Sequence, residues 1–350
     1  MPSDKQRTVY LDLLRILAMV GVVGIHVAAS QFASLPIDSS AWKAMNLWDG
    51  LCRWAVPMFA MVSGALFLNP ERSVSARSVF RKYLPRIILA YLVWSALYAA
   101  IGCGGSVRSF LRQLLCGHYH LWYLYMLAGF YLIVPLLRRI TESDSLTWYF
   151  LALSAVFTFG VPDLILLART ADRVWGFGLA DIVTTLNQYT MFFLTLGFVP
   201  YFVLGYALHR RQLSRRETAA LCALGLLGFV LSPLLNGRYS AATGAAQVEF
   251  FAYNKFCVLF QTAGVFAAAK AVSPKLSGSV QRMIVRIAAC SFGVYLAHPL
   301  LLDHAVPAEA LNCGAWTYLS VPAVILLVAA LSLVLSALIR RIPWLGKRIT

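Results

Sequence analysis

Asp12, Arg15 and His26 lie inside an apolar run, VYLDLLRILAMVGVVGIHVAAS (residues 9–30), that is long enough to cross a bilayer. A charge at bilayer depth is costly, so such groups face a protein interior or a water-filled cavity and mark function. Their spacing is helical. Asp12 and Arg15 are three apart and can pair on one face. Arg15 and His26 are eleven apart, close to three full turns, so they point the same way about 16 Å apart along the axis. Two readings of this pair are open. In one, His26 is a hydrogen-bonded histidine near the outer interface and Arg15 snorkels to the cytoplasmic headgroups. In the other, both line a polar cavity, with a cation near one mouth and an imidazole deeper in, where it suits taking a proton from a hydroxyl.

The elements that position these residues are membrane helices. The chain is 60% hydrophobic and 13% charged over 350 residues, and its mean hydropathy is +0.72. Apolar runs of spanning length recur, which predicts an all-α polytopic membrane protein. About ten transmembrane helices are expected, at 9–29, 47–68, 87–101, 120–137, 147–167, 189–208, 218–235, 251–272, 287–302 and 316–339. The first is too long for a signal-peptide core and lacks a small-residue cleavage pattern. Even parity puts both termini in the cytoplasm, and charge agrees. Of the 30 Lys and Arg, 21 fall in or at the edge of the segments this places inside: two before span one, five after span two, two after span four, four after span six, four from Lys270 at the end of span eight onward, and four after span ten. The net charge of +16 is therefore a positive-inside signature that favours contact with the lipid bilayer and its anionic headgroups. It is not a nucleic-acid footprint. Seven cysteines, mostly in or beside apolar runs and without a CxxC, read as buried free thiols. No metal site is expected.

Other polar features punctuate the spans. Span two carries Asp49, Arg53 and Pro57, and its VPMFAMVSGALFL stretch places Ser63 and Gly64 where backbones can approach closely. The loop after it holds Arg72, Arg77, Arg81, Lys82 and Arg86. Arg86 heads a span beside Pro85, placed to face a phosphorylated ligand. The piece SVRSFLRQLL (106–115) is amphipathic and fits the interface. His118 and His120 stand at a span entrance beside Trp122 and Tyr123, where an aromatic belt is an equal explanation. A longer outer loop, 168–188, contains Arg169, Asp172, Arg173, Trp175 and Asp181. In span nine, Ser291, Tyr295 and His298 follow i, i+4, i+7 and line one stripe, either a cavity wall or an interhelical hydrogen-bonding seam.

Taken in order, LDLLRILAMVGVVGIH (11–26), VPMFAMVSGALF (56–67), FRKYLPRIILAY (80–91), HLWYLYMLAGFYLIVPLL (120–137), FVLGYALHRRQLS (202–214) and SFGVYLAHPLL (291–301) resemble the acyltransferase 3 family of bacterial membrane O-acyltransferases. The most specific element is Arg-x10-His in the first span, here Arg15 and His26. The resemblance covers nearly the whole chain and implies one membrane-embedded acyltransferase domain over 1–350, with no appended soluble domain. In length the chain is similar to stand-alone members that O-acetylate surface glycans such as enterobacterial common antigen.

What the resemblance implies is transfer of an acetyl (acyl) group from acetyl-CoA, on the cytoplasmic side of the bacterial inner membrane, to a sugar hydroxyl of a lipid-linked or exported surface polysaccharide. Arg15, held by Asp12, would orient the thioester or the pantetheine end. His26 would act as general base or carry the acyl group transiently. Arg86, Lys82 and Arg81 would meet the donor phosphates, and Ser63, His120, Tyr295 and His298 would line the substrate cavity. The chain departs from the family in one place. Many relatives carry Arg-x-x-Arg at the start of the third span, whereas here the position three before Arg86 is Tyr83, with Lys82 adjacent. The rival reading is a transporter or flippase for an acyl donor or lipid-linked sugar, since intramembrane Arg and His also suit a proton-coupled path. The chain lacks the paired broken helices in matching halves that mark inverted-repeat transporters. A sensory membrane protein that keeps the fold without turnover is a third reading, and the intact Arg15 and His26 speak against it.

Overall fold

The computed structural model describes residues 8–72, 74–176, 178–190, 197–343 and 345–350. The polar lead 1–7 and residues 191–196 of the sixth expected span lie outside the described residues, as do the side chains of Arg173 and Trp175. Every regular element described is helical. In chain order these are α1 (Val9–Phe32), α2 (Ser40–Cys52), α3 (Ala55–Phe67), the single turn α4 (Ala76–Ser78), and α5 (Leu84–Gly102), which a π-turn at Val79–Tyr83 leads into. Next come α6 (Val107–Cys116), α7 (Trp122–Thr141), α8 (Asp144–Ser154), α9 (Val161–Trp175), α10 (Leu179–Thr190) and α11 (Val199–Arg210). The chain closes with α12 (Arg215–Thr243), α13 (Phe256–Val272), α14 (Gly278–Ala288), α15 (Ser291–Ala305), α16 (Thr317–Ile339) and α17 (Gly346–Ile349).

Eight of these helical stretches are long and apolar enough to cross a membrane, and α14 with α15, bent by 57°, makes a ninth. The described part of the remaining expected crossing is α11. Large apolar side chains such as Leu92, Leu132, Leu136, Leu226, Leu319 and Leu326 stand exposed around the bundle, as lipid-facing residues do. The protein is an all-α polytopic membrane protein.

Several boundaries differ from the sequence reading. Span two is two helices, α2 and α3, broken at Arg53–Trp54, and it begins at Ser40, inside the expected outer loop, rather than at residue 47. Span three begins in the π-turn, within the expected basic loop. The expected outer loop 168–188 is largely helical, as the end of α9 and most of α10. Span nine is split: α14 is an amphipathic helix, and the buried run starts afresh at Ser291. The amphipathic piece after span three forms α6, capped by Ser106, whose hydroxyl accepts the Ser109 N–H.

One end of the bundle is tied together by side chains that satisfy helix-terminal carbonyls, the groups a helix leaves unpaired. Lys270 at the end of α13 donates to the carbonyls of Leu208, His209 and Arg211, at 2.7, 2.9 and 2.6 Å. Arg138 at the end of α7 donates to those of Asn69 and Arg72, both at 2.6 Å. Tyr10, at the start of α1, hydrogen-bonds His209, and Arg210 pairs with Asp144 at 2.8 Å. The ends that the charge count assigns to one side thus meet in space, and they form a basic face. Deeper in, α3 and α11 cross at van der Waals contact through glycine. A Cβ on Gly64 would lie 1.7 Å from the Phe202 carbonyl oxygen, and one on Gly205 would lie 2.0 Å from that of Met61. Only glycine permits that approach.

Candidate active site

A cavity of about 370 Å³ opens among the helix ends of the basic face. Arg15 from α1, Ser63 from α3, Arg86 from α5, and Tyr123 and Tyr131 from α7 line it, together with Ser291 and Tyr295 from α15 and Arg340 after α16. Arg72 and Tyr83 complete the mouth. Among the described residues the lining contains four arginines, Arg15, Arg72, Arg86 and Arg340, and no carboxylate side chain. Such a lining suits an anion, since low dielectric strengthens the attraction. Phe67, Tyr83, Tyr131 and Phe292 give it apolar walls.

The arginines are held in different ways. Asp12 is 2% exposed and its Oδ1 accepts from Arg15 Nη1 at 2.9 Å. The pair forms as its i,i+3 spacing predicts, and it aims a partly exposed guanidinium into the cavity. Arg86 reaches the carbonyl oxygens of Lys347 and Thr350, each at 3.4 Å. Arg340 reaches the Thr350 oxygen at 3.3 Å. Arg72 stacks over Phe67 at 4.6 Å and Tyr83 at 5.7 Å, with Nη2 3.4 Å from the Tyr83 hydroxyl. A guanidinium therefore occupies the space beside Tyr83, the position where the Arg-x-x-Arg pattern has its first arginine. Lys82 and Arg81 are exposed and do not line the cavity. Lys82 lies over the outer face of Tyr83, 5.6 Å from the ring centre.

His26 is not part of the cavity lining. It lies one layer further from the basic face, its ring 5.1 Å from both Tyr119 and His298. Between it and the cavity stands a wall built by α15 and the turn before α7. Tyr295 lines the cavity, donates its hydroxyl to the His120 carbonyl, and packs against the rings of His120 and His298 at 5.5 and 6.2 Å. His298 donates from Nδ1 to the Tyr295 carbonyl at 2.8 Å. That bond fixes its tautomer and leaves Nε2 as a bare acceptor. The Nε2 atoms of His298 and His120 are both buried and have no hydrogen-bond partner among the described residues. Beyond His120, His118 lies with Nδ1 3.1 Å from His120 Nδ1 and Nε2 3.7 Å from Asp303.

The expected residues therefore fall into two layers. Asp12, Arg15, Arg86, Ser63 and Tyr295 belong to the cavity and its immediate support. His26, His120 and His298 form the histidine layer behind it. The sequence reading left out Arg72, Tyr83, Tyr123, Tyr131 and Arg340. Tyr123, Leu127 and Tyr131 are spaced four apart and carry a legible helical stripe. Arg72 and Arg340 carry no local signal, because only the folded chain brings them together.

No curated protein and no solved structure matches the chain. A family model described as an acyltransferase domain matches residues 8–341, the stretch that contains every helix of both layers. The chain belongs to the acyltransferase 3 family, and it is a membrane acyltransferase.

Proposed function

We propose that the protein is an O-acetyltransferase. It takes the acetyl group of acetyl-CoA from the cytoplasmic side and gives it to a sugar hydroxyl of a lipid-linked or exported surface polysaccharide, in the bacterial inner membrane. One observation carries this reading: a cavity on the basic face whose charged side chains are all arginines, one side-chain layer from the half-buried His26 imidazole. Arginine forks suit the phosphates of coenzyme A. Ser63, Tyr123 and Tyr295 in its lining are polar groups that suit the thioester end.

In this reading Arg72, Arg86 and Arg340 hold the donor phosphates, and Arg15, steadied by Asp12, orients the pantetheine arm. His26 takes the proton of the acceptor hydroxyl as its oxygen attacks the acetyl carbon. A C–O bond forms, the C–S bond breaks, and His26 returns the proton to the departing thiolate, so coenzyme A leaves as the thiol. A general base of this kind contributes roughly 10²- to 10⁴-fold. The Tyr295 wall must yield for the acetyl end to reach His26.

The test compares surface glycans by mass spectrometry in cells that carry the wild-type gene, a deletion or His26→Ala, alongside label transfer from [¹⁴C]acetyl-CoA by purified protein. Acetylated glycan should be present with wild type and absent from both others. Undiminished acetylation with His26→Ala would sink the mechanism, and label trapped on His26 would recast it as a nucleophile.

A further inference from the structure

A second intramembrane ion pair has no part in that scheme. Asp49 and Arg53 sit one turn apart at the C-terminal end of α2, where span two breaks before α3. Asp49 is 1% exposed and accepts from Arg53 Nη2 through Oδ2. The pair is incomplete: Asp49 Oδ1 and Arg53 Nε are both buried without a hydrogen-bond partner among the described residues. A charged pair inside a membrane bundle is expensive unless its remaining donors and acceptors are met. An idle guanidinium N–H there is the signature of a site that awaits a group. Carboxylate, ring and phenol hold the cation in place: Asp49 binds one edge, Phe251 lies under its face at 5.0 Å, and Tyr253 is beside it.

The break that carries Arg53 is fixed at the level of His26. A Cβ on Gly24 would lie 2.5 Å from Cys52 Sγ, and one on Gly21 would lie 2.7 Å from Ala55 Cβ. Helix α1 therefore meets the break within about one turn of His26. The Asp49–Arg53 pair therefore sits at the depth of the histidine layer. Tyr253 packs on Trp122 at 6.4 Å between ring centres, and the next residue, Tyr123, packs on the wall residue Tyr295 at 5.5 Å. None of Asp49, Arg53 and His26 is in the lining of the arginine cavity.

We infer that Arg53 is a catalytic residue of the acyl-transfer centre: its free Nε–H donates to the oxyanion that forms when the acceptor hydroxyl attacks the acyl carbonyl at His26, and Asp49 holds the guanidinium in position. The inference rests on the O-acyl transfer reading above. As the C–O bond forms, the carbonyl π pair moves onto oxygen. Arg53 stabilises that charge until the pair returns and the C–S bond breaks. Arg53 gives up no proton and needs no further reactant. A fixed donor at a developing oxyanion in a site without water is worth about 10²- to 10³-fold in kcat.

The test uses the full chain in lipid nanodiscs with acetyl-CoA as donor and two acceptors, water and octyl β-glucoside. Arg53→Gln alone leaves Asp49 buried and uncompensated, so the double variant Asp49→Asn/Arg53→Gln, which buries no charge, is measured beside it. Both should bind acetyl-CoA within about twofold of wild type. Both should lose about 10²- to 10³-fold in kcat for hydrolysis and for sugar acetylation alike, with the glucoside KM little changed. Arg53→Lys, a point charge without the fork, should recover only part of the loss. Transfer and hydrolysis by the double variant within threefold of wild type would overturn the assignment. So would a loss confined to the glucoside KM, which would make Arg53 an acceptor-binding group. Wild-type protein that neither hydrolyses nor transfers acetyl would instead overturn the acetyl-transfer reading, and this assignment with it.

Discussion

At the scale of single residues, the site is a problem of holding guanidinium groups in apolar surroundings. Arg15 has a carboxylate one turn away, and Arg86 and Arg340 rest on backbone carbonyls near residue 350. Arg72 is held by two aromatic faces instead, an arrangement worth roughly 0.5–2 kcal/mol depending on how dry the site is. Its place beside Tyr83 lets it supply the charge that the third span lacks. Arg72→Ala should therefore raise the Kd for acetyl-CoA about tenfold, which is about 1.4 kcal/mol, and should flatten its dependence on salt. Arg72→Lys should fall between, since a point charge loses the fork. Tyr83→Arg placed on Arg72→Ala should restore most of the affinity. Titration calorimetry in detergent checks all three, and full affinity in Arg72→Ala would remove Arg72 from the donor site. The sequence made Arg15, Arg86 and the Ser291–Tyr295–His298 stripe legible because each depends on neighbours within two turns of one helix. It hid Arg72, Arg340 and the packing of the Arg53 break against α1, because each depends on contacts between distant segments.

At the scale of elements, the site is set by where helices break and where they touch. Both breaks escaped the sequence reading for one physical reason: neither carries a proline or glycine at the break itself. Span two parts at Arg53–Trp54, whereas Pro57 lies in the first turn of α3, where a missing N–H costs nothing. Span nine parts at Ala289–Cys290, between an amphipathic helix drawn to the interface and a buried one. The close crossing of α3 and α11 was half visible in Ser63–Gly64, but its partner Gly205 was not. That crossing fixes the helix that presents Ser63 to the cavity. Gly205→Ala would drive a Cβ to 2.0 Å from the Met61 carbonyl oxygen and should cost about 1–3 kcal/mol in packing. It should lower the midpoint of thermal unfolding in detergent and reduce donor binding with it. Gly129→Ala, on α7, is the control, since nothing lies within 4 Å of the added methyl. There the helix should gain slightly, because alanine suits a helix interior better. Equal midpoints for the two variants would show that the glycine contact does not position α3.

At the scale of the whole molecule, the two layers make chemical sense only in one orientation. The arginine cavity opens on the basic face, and His26, His118 and Asp303 lie toward the other. Acetyl-CoA is a cytoplasmic metabolite in the proposed reaction, so the basic face must be inside, as the positive-inside distribution requires. The chain carries its own reporters. Cys116, at the end of α6, and Cys313, in the connection before α16, are exposed rather than buried as their apolar neighbours suggest, and both lie on the face opposite the arginine mouth. A membrane-impermeant maleimide applied to spheroplasts should label both without permeabilisation. A cysteine placed at exposed Arg216 (Arg216→Cys), in the first turn of α12 on the basic face, should react only once the membrane is opened. Labelling of residue 216 from outside, with Cys116 and Cys313 protected, would reverse the bundle. The cavity would then face a compartment without coenzyme A, and the donor assignment of its arginines would fail together with the orientation.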